Sequence, residues 1–389
     1  MVAGALAQQF PASFFAAGRD NIGPSENPMT DQPEDHFPDD YRAAREAFVE
    51  AAEEATFGVT SRVHPKMHGA DGKPLFLDVA SAGQRDARKA LLLISGTHGV
   101  EGYFGSGVQT GLLRTGIAKR IPKGAKLVVL HALNPFGFSW NRRVNEHNAD
   151  INRNFVDHAS PPKNDAYDSL ADAIAPKTIS PAAMKKANAR LTDFAKAHGA
   201  FALQEAISRG QYHHPDGLYF GGTQESWSAQ MLKDVFREEL RDTEELVVID
   251  FHTGLGETGA SEMISEDLPG SPEYARAKTM WGDLVHSSEA GESVSAPLEG
   301  TIDSAVGLWM KGRALTFAAL EVGTQSLRDV FDALRRDNWL HAHAKLDHKD
   351  AKAIKKKIRA AFYPDTDDWK RKVWKSAEHV VGRALTALG

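Results

Sequence analysis

Long apolar runs alternate with amphipathic stretches along this chain. Continuous apolar runs are typical of strands buried on both faces of a parallel sheet. They occur at residues 74–80, 90–96, 126–133, 245–252 and 314–322. Helical spacing of apolar residues covers residues 39–57, 105–117 and 274–286. Because strands and helices follow one another in turn, the pattern predicts an α/β domain built on a mixed, mostly parallel sheet.

Three regions lie outside this alternation. Residues 1–38 have small apolar patches but no sustained pattern, so we expect a loosely ordered tail before a single domain at 39–389. The Ala-, Lys- and Asp-rich region at about 160–213 is predicted to be a helical insert. Amphipathic patterns from about 327 to 389 predict C-terminal helices packed on the outside of the domain.

The composition narrows the chemistry. The 389 residues include 25% charged residues and carry a formal net charge of -6, which is ordinary for a globular protein and argues against nucleic acid as a partner. There is no cysteine, so any metal site must use His, Asp or Glu. No apolar run reaches the roughly 18 to 20 residues of a membrane span, and no basic segment typical of a secretory signal begins the chain. We therefore expect a cytoplasmic protein without a membrane contact.

Residues that can bind a metal follow two of the predicted strands. His98 and Glu101 come directly after the run at 90–96, and His252 ends the run at 245–252. Ligands bind beyond the carboxyl ends of the strands in open α/β sheets, so these side chains are expected to meet. Two His and one Glu form the three-ligand set of a catalytic zinc ion, with the fourth position open to water or substrate.

The spacing alone does not define this site. His286 and Glu289 repeat the His-x-x-Glu pattern in a serine-rich stretch that no buried strand precedes, so we expect no metal there. The strand-end position of His98 and the second strand-end histidine, His252, distinguish the first copy from the second.

Two further features accompany the predicted metal site. Glu321 lies near the end of the run at 314–322, where a carboxylate beside a zinc-bound water can take its proton and pass it to a leaving amine. Arginine and asparagine residues cluster at 141–155, which suits the recognition of a carboxylate because a guanidinium group makes paired, charge-assisted hydrogen bonds. A polar loop and a solvent-exposed carboxylate are the alternative interpretations.

Four blocks follow one another along the chain: His98 with Glu101, the polar cluster at 141–155, His252, and Glu321. In this order they resemble the M14 zinc carboxypeptidase superfamily and, within it, the group known as DUF2817. The resemblance covers roughly residues 91–325 and implies a three-layer α/β/α zinc-carboxypeptidase-like fold. It implies one Zn²⁺ ion bound by His98, Glu101 and His252. Glu321 falls on the family's catalytic glutamate.

The same resemblance implies roles for the polar cluster. Asn152 and Arg153 stand where the family's Asn-Arg pair binds the free carboxylate of a substrate. Asp150 matches the carboxylate that orients the first histidine ligand. Arg143 has the spacing of the arginine that polarises the scissile carbonyl. Arg142 is a close competitor for that role and is also a candidate substrate contact.

Other positions are matched less closely. Asp250, two residues before His252 on a strand, should point to the same side as that histidine and support it. The family's tyrosine that closes over the substrate has no clear counterpart, and Tyr274 is a candidate by position only. The segment 211–222 resembles a substrate-side loop of the family, in which His213 and His214 are candidate substrate contacts or alternative ligands. An ordinary loop is the other interpretation of that segment.

The sequence therefore predicts a zinc-dependent hydrolase that cleaves an amide bond next to a free carboxylate, with a small peptide as substrate. One alternative is a deacylase of N-acyl amino acids, as in the aspartoacylase branch of the same superfamily. That branch carries a β-rich C-terminal domain, which the helical pattern at the end of this chain does not match. Another alternative is a non-catalytic protein that binds a carboxylate-bearing ligand.

Overall fold

The computed structural model describes residues 32–389, and within them a single sheet has eight strands. The strands are β1 (Gly58–His68), β2 (Pro74–Gly83), β3 (Lys89–Ile94), β4 (Ala125–His131), β5 (Glu245–Thr253), β6 (Ser261–Ser265), β7 (Val285–Ser287) and β8 (Ala314–Val322). Their spatial order is β1-β2-β4-β3-β5-β8-β6-β7. The central strands β4, β3, β5 and β8 are parallel, whereas β2 is antiparallel to both its neighbours and β6 is antiparallel to β8. The predicted mixed sheet is confirmed.

Helices lie between the strands and at the C-terminal end of the described chain. They are α1 (Tyr41–Glu54), α2 (Gly102–Arg114), α3 (Pro135–Ser139), α4 (Asp165–Ile174), α5 (Pro181–His198), α6 (Ala200–Ser208), α7 (Trp227–Glu239), α8 (Pro272–Trp281), α9 (Ile302–Trp309), α10 (Leu327–Ala342), α11 (Ala351–Phe362) and α12 (Asp367–Leu388). The region predicted as a helical insert contains α4, α5 and α6. The predicted C-terminal helices are α10, α11 and α12.

The two faces of the sheet are covered by different helices. Successive side chains of a strand point to opposite faces, so Leu91 and Leu93 of β3 pack with α1, α2, α8 and α12 on one side. Leu92 and Ile94 of the same strand pack with α7 and α9 on the other side. Burial on both faces explains why the central strands are continuously apolar. The chain therefore has the three-layer α/β/α architecture.

The helical insert has its own apolar contacts. Buried residues of α4, α5 and α6 cluster with buried residues of α10 and α11, including Leu170, Leu191, Val330 and Phe362. This cluster fixes the insert above the carboxyl ends of the central strands, since Val100, in the 3-10 turn that follows β3, also belongs to it. The insert can therefore form a wall of any site at that edge.

The packed part of the chain begins earlier than the expected boundary at residue 39. Pro33–His36 form a short 3-10 helix, and Phe37 is buried with its ring 6.4 Å from that of Trp369. Residues 1–31 of the expected tail lie outside the described residues. Among the residues that are described, no helix is both long enough and apolar enough to cross a membrane.

Candidate metal centre and substrate cavity

Three adjacent strands bring the predicted site residues to one edge of the sheet. His98 and Glu101 follow the end of β3, while His252 and Glu321 are directly paired near the ends of β5 and β8. Because β3, β5 and β8 are neighbours and parallel, their carboxyl ends meet. The four side chains therefore lie at the same edge of the sheet.

The turn after β3 is held against the loop that carries Arg143. The backbone N–H groups of Gly99 and Val100 donate to the carbonyl oxygens of Arg143 and Arg142, at 3.1 and 2.8 Å. Gly99 permits this approach, because a Cβ atom at that position would lie 2.0 Å from the backbone of Gly137. Glycine is therefore required between the two candidate ligands of the turn, His98 and Glu101.

His98, Glu101 and His252 form a compact cluster of buried potential ligands, with one donor atom of each within 4.8 Å of the others. The Nδ1 atom of His98 lies 3.0 Å from Glu101 Oε1 and 3.1 Å from His252 Nδ1. The His252 Nδ1 atom lies 3.1 Å from Glu101 Oε2. Among the described residues this is the one such group, and His286 and Glu289 are not part of it.

The opposite nitrogen of each histidine contacts a buried carboxylate. The Nε2 atom of His98 lies 3.1 Å from Asp150, and the Nε2 atom of His252 lies 2.8 Å from Asp250. Asp250 also accepts a hydrogen bond from the hydroxyl of Thr97, at 2.9 Å. A proton on His252 Nε2, donated to Asp250, leaves the Nδ1 lone pair of that ring directed at the centre of the cluster, which is how metal-binding histidines are commonly oriented. The Nε2 atom of His98 also lies 2.8 Å from Arg143 Nη2, which can only donate.

The donor set fits a zinc ion. Two imidazole nitrogens and one carboxylate are the protein ligands of a common class of catalytic zinc site. Because these groups are buried, water does not solvate the negative charge of Glu101 or the nitrogen lone pairs of the two histidines. A small divalent cation satisfies all three groups at once. Asp150 and Asp250 contact the two imidazoles, His98 and His252, that would bind such an ion.

The side chains of the cluster create an electrostatic environment that favours a cation. Burial alone would raise the pKa of Glu101, but the neighbouring His98, His252 and Arg143 outweigh it and lower that pKa. Burial likewise would lower the pKa of His252, but Asp250 and Glu101 raise it well above its usual value. Glu101 therefore stays ionised, and positive charge between Glu101 and His252 is strongly favoured.

Arg143 borders the same cluster. Its Nε atom donates to Asp150 at 2.9 Å, and its Nη1 atom donates to Glu101 at 3.0 Å. Burial opposes the charge of Arg143, but Asp150 and Glu101 outweigh that effect and raise its pKa. A permanently charged guanidinium group is consequently fixed beside the candidate metal ligands.

Glu321 reaches the same space from β8. Its Oε1 atom accepts a hydrogen bond from the backbone N–H of Leu255 at 2.9 Å. Burial, followed by the nearby negative charge of Glu101, raises the pKa of Glu321 to about 8. These surroundings thus hold the carboxyl group of Glu321 in a form that can carry a proton at neutral pH.

The cluster opens into one large cavity of about 1330 Å³. Its inner end is formed by the three candidate ligands together with Glu321, Arg143, Asn152 and Arg153. Its outer wall is mainly apolar and comes from the insert and α10, with Leu191, Leu203, Ile207, Leu327 and Phe331 among the lining residues. A small organic substrate could therefore lie with a polar end on the site and an apolar part on the insert.

Asn152 and Arg153 keep unused hydrogen-bond donors at the cavity. The amide oxygen of Asn152 accepts from the backbone N–H of Ile302 at 2.9 Å, so its NH₂ group is turned away from that contact. Arg153 donates through Nε and Nη2 to the carbonyl oxygen of Ser208 and through Nη1 to that of Asn152. Each terminal nitrogen of Arg153 thus retains one N–H that no described residue accepts.

Arg142 lies elsewhere, contrary to its predicted place among the substrate contacts. Its Nε atom is 3.3 Å from Asp337, and its Nη2 atom donates to Asn148 at 2.9 Å. Asp337 also pairs with Lys355 of α11. Arg142 therefore belongs to a buried ion-pair network and does not line the large cavity. The structure thus separates Arg142 from the candidate substrate contacts.

Three other candidates also lie apart from the cavity. Tyr274 is on α8, where its hydroxyl donates to Glu292 at 2.9 Å. His213 and His214 both contact Asp168, at 2.9 and 3.0 Å, and neither lines the cavity. These histidines accordingly belong to the surface of the loop at 211–222.

An acidic pair in the cavity wall, Glu266 and Asp303, was not predicted from the sequence. Glu266, just after β6, accepts a hydrogen bond from Thr301 at 2.8 Å, and Asp303 is in the first turn of α9. Burial raises the pKa of Glu266 to about 7, and burial followed by the proximity of Glu266 raises that of Asp303. No sequence motif indicates this pair, because only the packing of α9 against the sheet brings the two residues together.

The sequence model of the family described as "Protein of unknown function (DUF2817)" matches residues 37–376. The chain belongs to the DUF2817 family. The family match spans every residue of the candidate metal centre, and the predicted membership is confirmed. No curated protein matches this DUF2817 chain in sequence.

Several solved structures are similar to this DUF2817 protein at low sequence identity. Bovine thrombin-activatable fibrinolysis inhibitor, in complex with tick carboxypeptidase inhibitor, has a TM-score of 0.51 and 11% identity, covering 90% of this chain and 97% of that chain. A second structure of thrombin-activatable fibrinolysis inhibitor also has a TM-score of 0.51 and 11% identity, with 93% and 78% covered. Carboxypeptidase A from Helicoverpa armigera has a TM-score of 0.45 and 12% identity, with 83% and 73% covered. The first two confirm the predicted fold.

Proposed function

We propose that this DUF2817 protein is a zinc-dependent hydrolase that cleaves an amide bond next to a free carboxylate. The observation that carries the proposal is the convergence, in one cavity, of the cluster His98, Glu101 and His252 with the carboxyl group of Glu321. A metal ligand set beside an acid/base group and an arginine is the arrangement that metal-assisted hydrolysis requires.

One zinc ion would be held by His98 and His252 through Nδ1 and by Glu101 through its carboxylate. Bound there, zinc supplies Lewis acidity, which polarises an amide carbonyl and lowers the pKa of a water molecule. Asp150 and Asp250 hold the two imidazole rings in the orientation that presents Nδ1.

Glu321 is the proposed proton carrier. Its carboxylate would take a proton from the attacking water and then deliver the proton to the nitrogen of the leaving group. The hydrogen bond from the Leu255 N–H holds one oxygen of Glu321 in place and leaves the other oxygen available for this transfer. A group with a raised pKa is suited to both halves of the task.

Arg143 is the proposed stabiliser of negative charge. As the carbonyl carbon becomes tetrahedral, its oxygen gains charge, and a fixed guanidinium group within the same buried site stabilises that charge without reorganising. The contacts of Arg143 with Asp150 and Glu101 support this role because they hold the group at the edge of the ligand cluster.

Asn152 and Arg153 are the proposed anchor for the free carboxylate of the substrate. The NH₂ group of Asn152 and one N–H on each terminal nitrogen of Arg153 are the donors that the protein leaves unused. A carboxylate accepts several such bonds, and a guanidinium group can bind it in a paired geometry.

Both a peptide and an N-acyl amino acid present an amide bond next to a carboxylate. The apolar residues that α5 and α6 contribute to the cavity, such as Leu191 and Ile207, can pack against a hydrophobic side chain or against an acyl chain. The deacylase activity is therefore retained as a second candidate for the same site.

The proposal is tested by assaying the zinc-loaded protein on dipeptides, N-acyl amino acids and the C-terminal amides of both. We expect hydrolysis of one acid series, its loss on chelation, and much slower hydrolysis of the amides. Glu321→Gln should retain zinc and lose about 10²- to 10⁴-fold in rate, whereas Glu239→Gln, on α7 outside the cavity, should not. Tight binding of the acids without hydrolysis would instead identify a non-catalytic binding protein.

A further inference from the structure

The large cavity extends beyond the metal centre along a wall of helices. Its volume of about 1330 Å³ exceeds the roughly 300 to 1,000 Å³ that is typical of small-molecule pockets. Helices α5, α6, α10 and α11 supply the apolar part of this helical wall, which includes Leu191, Ile207, Leu327, Val330, Phe331 and Phe362. A substrate that filled only the polar end of the cavity would leave the helical wall uncovered.

The helical wall begins beside the proposed acid/base group. The backbone N–H of Leu255, which also lines the cavity, donates to Glu321 at 2.9 Å. In the same loop, a Cβ atom at Gly254 would lie 2.9 Å from the ring of Phe362 and 3.9 Å from the side chain of Val330. The loop that holds Glu321 therefore packs directly on α10 and α11.

The proposed carboxylate anchor is attached to other helices. Arg153 donates to the carbonyl oxygen of Ser208, the last residue of α6, at 2.7 Å, and Asn152 accepts from Ile302, the first residue of α9, at 2.9 Å. A substrate with its carboxylate on this anchor and its amide carbonyl beside Glu321 has one substituent left, on the far side of the carbonyl. That substituent therefore faces the part of the helical wall that α10 and α11 form.

Helices are poorly suited to bind the main chain of a peptide. Within a helix the backbone N–H and C=O groups bond to one another, whereas an extended peptide pairs with the free edge of a strand. Peptide amides placed against the helical wall would lose water without gaining partners, which is unfavourable. An alkyl chain has no polar groups, and its binding improves with each CH₂ that is buried.

Four polar side chains that line the cavity on α5 and α10 are paired with one another. Arg335 donates to Asn188 at 2.6 Å, and Arg336 donates to Asp332 at 2.8 Å. These pairs satisfy the polar groups from within the protein. The side chains that remain for a ligand on the helical wall are mainly apolar.

The outer end of the cavity carries two large apolar side chains that solvent reaches. Leu327, in the first turn of α10, is 55% exposed, and Phe201, in the first turn of α6, is 47% exposed. A single exposed apolar side chain is ordinary, but these two border the same cavity. A chain that runs from the metal centre to the outer end would cover both.

We infer that the helical wall binds a long alkyl chain, so that the substrate is an amino acid carrying a medium- or long-chain N-acyl group. The inference rests on the proposed function, because it names the acyl part of the same amide substrate. Water adds to the acyl carbon, the C–N bond breaks, and Glu321 passes the proton of the water to the nitrogen. The products are a fatty acid and a free amino acid.

The inference is tested with a series of N-acyl derivatives of one amino acid, from acetyl through butanoyl and hexanoyl to octanoyl, on the zinc-loaded protein. We expect kcat/KM to rise by up to about 4-fold for each added CH₂, and the octanoyl compound to exceed the acetyl compound about 100-fold or more. N-acetylated tripeptides that end in the same amino acid are of similar length, and we expect them to be hydrolysed more slowly than the octanoyl compound.

Two variants test where the chain binds. Leu327→Ser and Phe331→Ala should each lower the octanoyl-to-acetyl ratio of kcat/KM about 5- to 10-fold. Leu308→Ser is the matched control, because Leu308 is 74% exposed on α9 and does not line the cavity, and it should keep the ratio of the wild type. The ratio is taken within each variant, so a lower content of folded protein does not imitate the effect.

The outcomes separate this inference from the proposed function. Zinc-dependent hydrolysis that does not depend on chain length, or faster hydrolysis of the tripeptides, would overturn the inference and leave the proposed function standing. A chain-length effect that Leu327→Ser and Phe331→Ala both leave intact would show that the chain binds elsewhere. No hydrolysis of any compound would contradict the proposed function and the inference together.

Discussion

The Nδ1 atoms of His98 and His252 lie 3.1 Å apart, although 154 positions separate the two residues in the chain. Each residue contacts a buried carboxylate through its other ring nitrogen. Two imidazoles that meet lone pair to lone pair repel each other unless a proton or a metal ion lies between them. The fold therefore maintains an arrangement whose natural occupant is a cation.

Asp250 should control how well that cation is held. Asp250→Asn removes the negative charge that fixes the orientation of His252 and raises its basicity, so we expect the affinity for zinc to fall about 10- to 100-fold. Competition with a chromophoric chelator measures this change. Asp78→Asn, which alters a buried carboxylate paired with Arg45 outside the cavity, should leave zinc affinity unchanged. Equal zinc affinity in the Asp250 variant and the wild type would remove Asp250 from the site.

Arg153→Lys should affect recognition of the substrate rather than the chemical step. Lysine keeps the charge but lacks the paired N–H geometry, so we expect KM for acid substrates to rise about 10-fold or more, with kcat changed less. Arg313→Lys is a matched control, because Arg313 also donates to backbone carbonyl oxygens but lies outside the cavity. A selective fall in kcat at constant KM would contradict the anchoring role.

Asp337 should matter for stability. Asp337→Ala leaves the buried Arg142 and nearby Lys355 without their counter-charge, and we expect a loss of about 3 to 5 kcal/mol in the free energy of unfolding. Replacing Arg142 by Met in the same protein should recover part of this loss, since the uncompensated charge is then smaller. Urea denaturation measures both variants. A loss below about 1 kcal/mol for Asp337→Ala would show that the network is not a significant ion pair.

Glu266 should make stability depend on pH. Its pKa is about 7 in the folded protein and near 4.5 in the unfolded chain, so unfolding releases a proton between these values. Stability is therefore lost as the pH rises from about 4.5 through 7. Glu266→Gln does not ionise, and its stability relative to the wild type should increase over this interval. Denaturation of both metal-free proteins at pH 5 to 8 tests this, and a constant difference would refute it.

The sequence predicts the centre of the fold better than its edges. The apolar runs coincide with β3, β4, β5 and β8 because these strands are buried on both faces. Strand β1 was not predicted, since it is an edge strand whose burial pattern is mostly exposed. The short strands β6 and β7 were also missed, because the pairing of β6 with β8 is determined by tertiary contacts and not by a local pattern.

The same distinction applies to the site. The candidate ligands were predictable because parallel strands place their ends together, so position along the chain indicates position in space. Tyr219 was not singled out, because its position in the cavity beside Arg143 and Arg153 depends on a positive φ angle and on contacts between two loops. Arg142 and Arg143 are adjacent in the sequence, and only the structure distinguishes the ion-paired residue from the one at the cavity.

Metal analysis of the purified chain is the most direct test of the candidate metal centre. We expect the metal-free protein to take up one zinc ion per chain, and His98→Ala and His252→Ala to lose that uptake while remaining folded. His286→Ala is the internal control, because His286 has the same spacing to a glutamate but lies outside the cluster. The assignment would be contradicted if the chain kept one zinc ion after both His98 and His252 were replaced. It would also be contradicted if the folded wild-type protein took up no zinc.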